Sequence, residues 1–310
     1  MKHNIKITII LLGMFLITQL IGLAVISYYS QEGNSLPYGM EPPEVTDENA
    51  FGFLGSLAIS FVIAIVLVII LMRLKTVWFM RGWFFFVVIL ALGITFNAAG
   101  NFLKIPYTYV IAFLLAIILA YIKVFKRNIL VHNLTELAIY PGIATVFVPI
   151  LNIWTVIVLL IAISIYDIWA VWHSGIMQKM AKFQIDKMKI FSGFFVPYAG
   201  KKIRQKIQYL KLKYKNKKIP DKIIKKNNIK VNLAILGGGD VVFPIIAAGV
   251  FLKTLNSVPA ALMVTLGACL ALLYLFMFSQ KRKFYPAMPF LTTGIFLGMV
   301  AGYFLHLFLI

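Results

Sequence analysis

Cysteine is nearly missing: Cys269 is the single one in 310 residues. That excludes an intramolecular disulfide and a cysteine-built metal site, and it leaves Cys269 a packing role. Acid is scarce too, with 10 Asp and Glu against 30 Lys and Arg and a formal net charge of +20. Long polar sequence is confined to residues 173–230, while 61% of the chain is hydrophobic and the mean hydropathy is +0.92. A soluble domain of this length cannot hide so much apolar surface. A bilayer can, because lipid takes over the part of an apolar core.

The apolar runs can be counted, since about 20 residues cross the hydrocarbon. Nine qualify: Ile5–Tyr28, Phe51–Met72, Trp83–Ala99, Ile105–Val124, Leu134–Leu151, Ile153–Trp172, Val231–Leu252, Val258–Phe278 and Ala287–Ile310. The third is short, and the fifth and sixth are divided only by Pro149–Asn152. The first exceeds a leader's apolar core and no small-x-small site follows it, so it reads as a retained span. The expected fold is an all-α membrane protein of nine transmembrane helices.

Nucleic acid is the ordinary partner of so basic a chain, but here the cations sort by loop. If the N-terminus is inside, 28 of the 30 lysines and arginines fall on inside loops, seventeen of them in His173–Lys230. Only Lys104 and Lys253 fall outside, while Glu32, Glu41, Glu44, Asp47 and Glu48 share the first outside loop. That is the positive-inside rule, and it predicts a cytoplasmic N-terminus and an outside C-terminus. The expected partner of the charge is the lipid bilayer, not nucleic acid.

The hydrophilic stretch divides the chain into a six-span part (1–172), a basic cytoplasmic loop (173–230) and a three-span part (231–310). Ile176–Tyr198 mixes Met177, Met180, Phe183, Ile185, Met188 and Phe191 with lysines, which suits an amphipathic helix on the inner leaflet. Lys201–Lys230 is lysine-dominated and is expected to stay near anionic lipid. No internal repeat points to an inverted-repeat transporter.

Ionisable residues within spans are costly and usually functional. Glu136, Asp167 and Asp240 qualify. Glu136 lies near the start of span five and is expected to snorkel to the interface. Asp167 and Asp240 lie on consecutive antiparallel spans, roughly 8–9 Å and 13–14 Å from the cytoplasmic face if both spans are helical throughout. Two carboxyls side by side in low dielectric cannot both ionise, so they share a proton. One can then activate a water while the other protonates the substrate. From placement alone, a proton-coupled transporter explains the pair equally well.

Local sequence tips the balance. Asp240 closes Gly237-Gly238-Gly239-Asp240, and Pro244 follows. Glycines allow close backbone approach and loosen a helix, leaving a slot for an extended substrate. Pro286-Ala287-Met288-Pro289 opens the ninth span at the same face. Prolines so close make irregular chain, which membranes tolerate where it lines a wet cavity.

Tyr166-Asp167, Gly237-Gly238-Gly239-Asp240 and Pro286-Ala287-Met288, in order on spans six, seven and nine, resemble the presenilin and signal peptide peptidase family of GxGD intramembrane aspartyl proteases. Met288 departs from the family's leucine but keeps its size and apolar character. The compact loops look like those of a prokaryotic or archaeal homologue, which implies the cell membrane. The resemblance implies Asp167 and Asp240 as the catalytic pair. It implies that Gly237, Gly238, Gly239, Pro286, Ala287 and Met288 shape the site, with Tyr166 beside it. It implies transmembrane protein or peptide substrates, no cofactor and no metal, and it is compatible with a homo-oligomer.

Other intramembrane proteases fit less well. His3, His132, His173 and His306 are too scattered for His-Glu-x-x-His, and no Gly-x-Ser-Gly occurs. A prepilin or preflagellin peptidase also uses Gly-x-Gly-Asp and is the alternative within proteases. An ion- or proton-coupled transporter and a non-catalytic scaffold are the alternatives outside them. The Pro286–Pro289 element is the discriminator, because a transporter gives it no reason to meet the two aspartates.

Overall fold

The computed structural model describes residues 5–41, 43, 49–74, 76–126, 128–174, 192–198, 232–279 and 285–309. Among them, nine helical spans are long and apolar enough to cross a membrane. The helices are α1 (Ile5–Tyr29), α2 (Ala50–Arg73), α3 (Val77–Phe102), α4 (Thr108–Tyr121), α5 (Ile129–Phe147), α6 (Ile153–Trp169), α7 (Gly238–Leu255), α8 (Val258–Phe278) and α9 (Met288–Leu309). Single π turns extend α4 through Ile122–Lys126 and α6 through Ala170–Ser174. Helix α3 runs past the short apolar stretch expected for it at both ends, because Arg81 and Asn101 are carried inside the helix. Asn97 lies buried and donates through Nδ2 to the Tyr29 hydroxyl at 3.0 Å.

The weak boundary between spans five and six is a built stop. Asn152 accepts from the Thr155 N–H through Oδ1 at 2.9 Å, and Thr155 Oγ1 accepts from the Asn152 N–H at 2.9 Å. This reciprocal cap satisfies the donors that a helix start leaves orphaned.

Helix α7 is the hub, packing against α1, α5, α6, α8 and α9. Its residues 245–252 are all buried, and Ala247, Ala248 and Gly249 keep it narrow there. In lipid no hydrophobic force pulls helices together, so small residues that let backbones approach carry much of the packing. The α8–α9 seam shows it clearly. A Cβ on Gly298 would lie 2.5 Å from the Met263 carbonyl oxygen. On α4, Ala112, Ala116 and Ala120 recur every fourth residue and are buried in the protein.

Two expectations fail at the start of span seven. Asn232–Gly237 is a strand, not the opening of a helix from Val231. It pairs antiparallel with Gly193–Tyr198, the end of the stretch expected as an amphipathic helix. These strands are β1 (Gly193–Tyr198) and β2 (Asn232–Gly237). Ala234 and Leu236 are buried while Leu233 and Ile235 are exposed, which is a strand's two-residue period. The rest of the expected amphipathic helix, Ile176–Phe191, and the Lys201–Lys230 segment lie outside the described residues.

A third correction concerns Glu136. It does not snorkel. It is 1% exposed, and the Nζ of Lys123, in the π turn after α4, donates to its Oε1 at 2.6 Å. The extra residue of a π turn shifts the side chains that follow it, and here Lys123 faces inward. Breaking a buried pair strands a charge, so Lys123→Met is expected to destabilise the fold by about 3–5 kcal/mol. Lys123→Met with Glu136→Gln should recover most of that loss. Thermal unfolding in detergent checks both; equal midpoints for wild type and Lys123→Met would contradict the pairing.

Candidate active site

Three chain segments meet around two carboxyls. The first is α6, which carries Asp167, only 6% exposed. The second is the start of α9. A helix start offers N–H groups with no intrahelical acceptor and the positive end of its dipole. Asp167 takes up this offer: the Met288 N–H donates to its Oδ2 at 3.0 Å, and the Ala287 N–H also bonds its carboxyl. Pro286 and Met288 are buried, so the Pro286-Ala287-Met288 segment serves Asp167 through its backbone, not its side chains.

The seam between α6 and α9 is pinned one turn away. Ser164 Oγ and Thr292 Oγ1 lie 2.8 Å apart, and Thr292 also donates to the Leu160 carbonyl at 3.4 Å. Ser164 precedes Asp167 by three residues and Thr292 follows Met288 by four, so both hydroxyls share a helix face with the group they steady.

The third segment is the β2–α7 junction. Gly237 ends the strand and caps α7, and Asp240 is the third residue of that helix. An acid at this position can reach back to the cap's N–H. Asp240 does so, accepting from the Gly237 N–H. It is partly exposed, unlike Asp167, and the two carboxyls are near enough to interact electrostatically. The depth estimate from an all-helical span seven is therefore replaced: Asp240 sits in the first turn of α7, directly after a strand.

The three glycines differ in what they allow. A Cβ on Gly238 would fall 2.6 Å from Ser192 Oγ and 2.9 Å from the Tyr140 ring, so nothing larger fits without displacement. A Cβ on Gly237 would stand 3.1 Å from Asp240 Oδ2, crowding that carboxyl. A Cβ on Gly239 would meet only Phe243, at 3.7 Å, and Gly239 is exposed. Gly238 thus seats the junction against α5, while Gly239 leaves an open face beside Asp240. Pro244 has no N–H to return to the Asp240 carbonyl, which loosens the first turns of α7.

Tyr166 turns toward α2, with its ring edge-on to Phe61 at 5.9 Å and tilted to Trp169 at 6.4 Å. Four neighbours of the site have no motif to announce them: Tyr140, Ser164, Thr292 and Gln19. Tyr140 is buried between Glu136, Ser192 and Gly238. Gln19, on α1, donates through Nε2 to the Val241 carbonyl at 3.0 Å, one residue past Asp240. A glutamine in mid-span was the available signal for that contact.

The sheet has two unlike edges. Along the outer side of β1, α5 side chains bond the backbone of Gly193 and Phe195. The ladder to β2 must then run through Phe194 and Val196, since backbone groups alternate sides along a strand. Pro197 agrees, as it stands where no ladder donor is required. By the same alternation, Leu233, Ile235 and Gly237 of β2 turn their backbone groups to its outer edge.

Comparisons with known proteins bear on the family and the fold. The signal-peptide peptidase, presenilin aspartyl protease family model matches residues 12–309. Two solved structures of a presenilin family intramembrane aspartate protease share the fold. The one in space group C222 is 17% identical with a TM-score of 0.59, covering 96% of this chain and 99% of that one. The one in P2 is 18% identical with a TM-score of 0.58, covering 95% and 96%. A search of curated proteins finds no match. The nine spans and the match along nearly the whole length lead to one conclusion: this multi-pass integral membrane protein belongs to the presenilin and signal-peptide peptidase family of aspartyl proteases.

Proposed function

We propose that the protein cuts transmembrane segments of substrate proteins or peptides inside the bilayer, with Asp167 and Asp240 as the acid–base pair. The observation that carries this reading is the meeting of the two carboxyls, each held by a backbone N–H from a different break in the helical structure. One shared proton gives the pair one base and one acid. The base takes a proton from water as the water oxygen attacks the scissile carbonyl carbon. The acid gives its proton to the carbonyl oxygen. The carboxyl that took the water proton then gives it to the amide nitrogen, the C–N bond breaks as a hydroxyl of the tetrahedral intermediate passes its proton to the other carboxylate, and the pair again holds one proton. No covalent enzyme intermediate forms.

The substrate must be extended at the cut, because a helix hides its carbonyls in its own hydrogen bonds. The outer edge of β2 supports this. Its backbone groups at Leu233 and Ile235 point outward and the strand runs directly into Gly237–Asp240. An unwound substrate adding to that edge would recover the backbone bonds it loses. The lysine and arginine distribution supports a cytoplasmic N-terminus, which puts the pair in the cytoplasmic half of the bilayer. Family membership favours this reading over a coupled transporter or a prepilin-type peptidase.

Purified protein with a single-span test substrate checks the pair. Asp167→Asn and Asp240→Asn should each lower the cleavage rate by about 100-fold or more. Cleavage near the wild-type rate by either would sink the assignment. Transition-state inhibitors of aspartyl proteases should block the wild-type reaction. The glycines give a separate contrast. Gly238→Ala should lower both the unfolding midpoint and the rate, since its Cβ collides with Tyr140 and Ser192. Gly239→Ala should hold the midpoint and lower only the rate, because it narrows the face open to substrate. Equal effects of the two substitutions on the midpoint would contradict this division of roles.

A further inference from the structure

The first turns of α5 carry three polar side chains on the face toward the sheet: His132, Asn133 and Glu136. All three bond the backbone of β1. Asn133 does so twice at Phe195, donating through Nδ2 to the carbonyl at 2.8 Å and accepting from the N–H through Oδ1 at 3.0 Å. That is the pair of bonds a neighbouring strand residue would make. His132 Nε2 lies 2.7 Å from the Gly193 carbonyl oxygen, and the Gly193 N–H donates to Glu136 Oε1 at 3.4 Å. The His132 ring also packs on the Phe195 ring, with centroids 4.8 Å apart.

The same side chains are themselves tied down. Lys123 Nζ donates to Glu136 Oε1 and sits 3.2 Å from His132 Nδ1. These partners define the tautomer: Nε2 carries the proton toward Gly193, and Nδ1 accepts from the ammonium. An apolar α5 would bury as well against β1, but it would leave the backbone groups of Gly193 and Phe195 without partners in a membrane protein's interior. The polar residues act in place of a third strand.

From this clamp the path to Asp240 is short. Gly193 is opposite Gly237 in the sheet, and the Gly237 N–H bonds the Asp240 carboxyl. We infer that His132, Asn133 and Glu136 are positioning residues that lock the register of β1 and β2 against α5, and thereby set which substrate bond stands at the aspartate pair. A strand that slips by two residues keeps its faces but moves about 7 Å along its axis. Because β2 continues directly into Gly238–Asp240, such a slip of β1 would let the edge of β2 and Asp240 shift together relative to Asp167 on α6, and so change which bond lies between the two carboxyls.

The inference rests on the catalytic reading of Asp167 and Asp240, and its test keeps the two apart. The wild type and the variants His132→Leu, His132→Gln, Asn133→Leu and Asn133→Asp are incubated with one single-span substrate. The cut bonds are mapped by mass spectrometry beside rates and unfolding midpoints. His132→Leu and Asn133→Leu should cut at bonds flanking the wild-type site and run roughly fivefold to tenfold slower. His132→Gln keeps an N–H donor within reach of Gly193 and should restore the wild-type pattern. Asn133→Asp keeps the acceptor for the Phe195 N–H but sets an oxygen against the Phe195 carbonyl. It should spread the cut sites even where Asn133→Leu does not fold. A purely structural role would lower the amount of active protein without altering which bonds are cut. Wild-type cut sites in His132→Leu and Asn133→Asp alike would therefore overturn the inference. A wild-type protein that leaves the substrate whole, or an Asp240→Asn variant that cuts it, would instead overturn the catalytic reading beneath it.

Discussion

A carboxyl removed from water must be answered by protons, opposite charge or hydrogen-bond donors, and the structure around Asp167 and Asp240 is arranged by that requirement. Neither aspartate has a cationic partner among the salt bridges of the described residues. The answer comes from backbone N–H groups and, in the proposed reaction, from one proton held in common. Regular helix interiors have no N–H to spare. The site therefore sits where the helices begin: Met288 opens α9 toward Asp167, and Gly237 caps α7 toward Asp240. The prolines and glycines of those segments serve this end, because irregular backbone is the source of the donors.

The other buried carboxylate is answered differently. Glu136 has Lys123, with Gly193 and Tyr140 close by. One cluster is ionic and structural; the other is built from carboxyls alone. They lie on the two sides of the same short sheet, with Tyr140, Ser192 and Gly238 between them. From α5, His132, Asn133 and Glu136 hold the backbone of β1 through contacts that the motifs do not contain.

The spans and the motifs were legible because each is written in consecutive residues. A run such as Val258–Phe278 needs no partner to be recognised, and the structure gives it the same limits. The strand Asn232–Gly237 was not legible, because nearly every residue there is apolar and the two-residue period shows only once burial is known. Glu136 was misjudged because its partner belongs to another span: Lys123 reads as a loop cation until the π turn brings it inward. The clamp on β1 was equally invisible, since side chains of α5 meet backbone groups some sixty residues away. Gly238 occupies the unspecified position of Gly-x-Gly-Asp, yet its lack of a side chain is the one the packing demands most. Sequence marks what is repeated or dense in one place; contacts between distant segments wait for the fold.

The central claim is that Asp167 and Asp240 work as one unit holding one proton. The pH dependence of cleavage by the purified protein tests it most directly. A shared proton predicts a bell, with the rate falling at low pH as the pair takes a second proton and at high pH as it loses the first. A rate that stays level into strongly alkaline solution would contradict the claim.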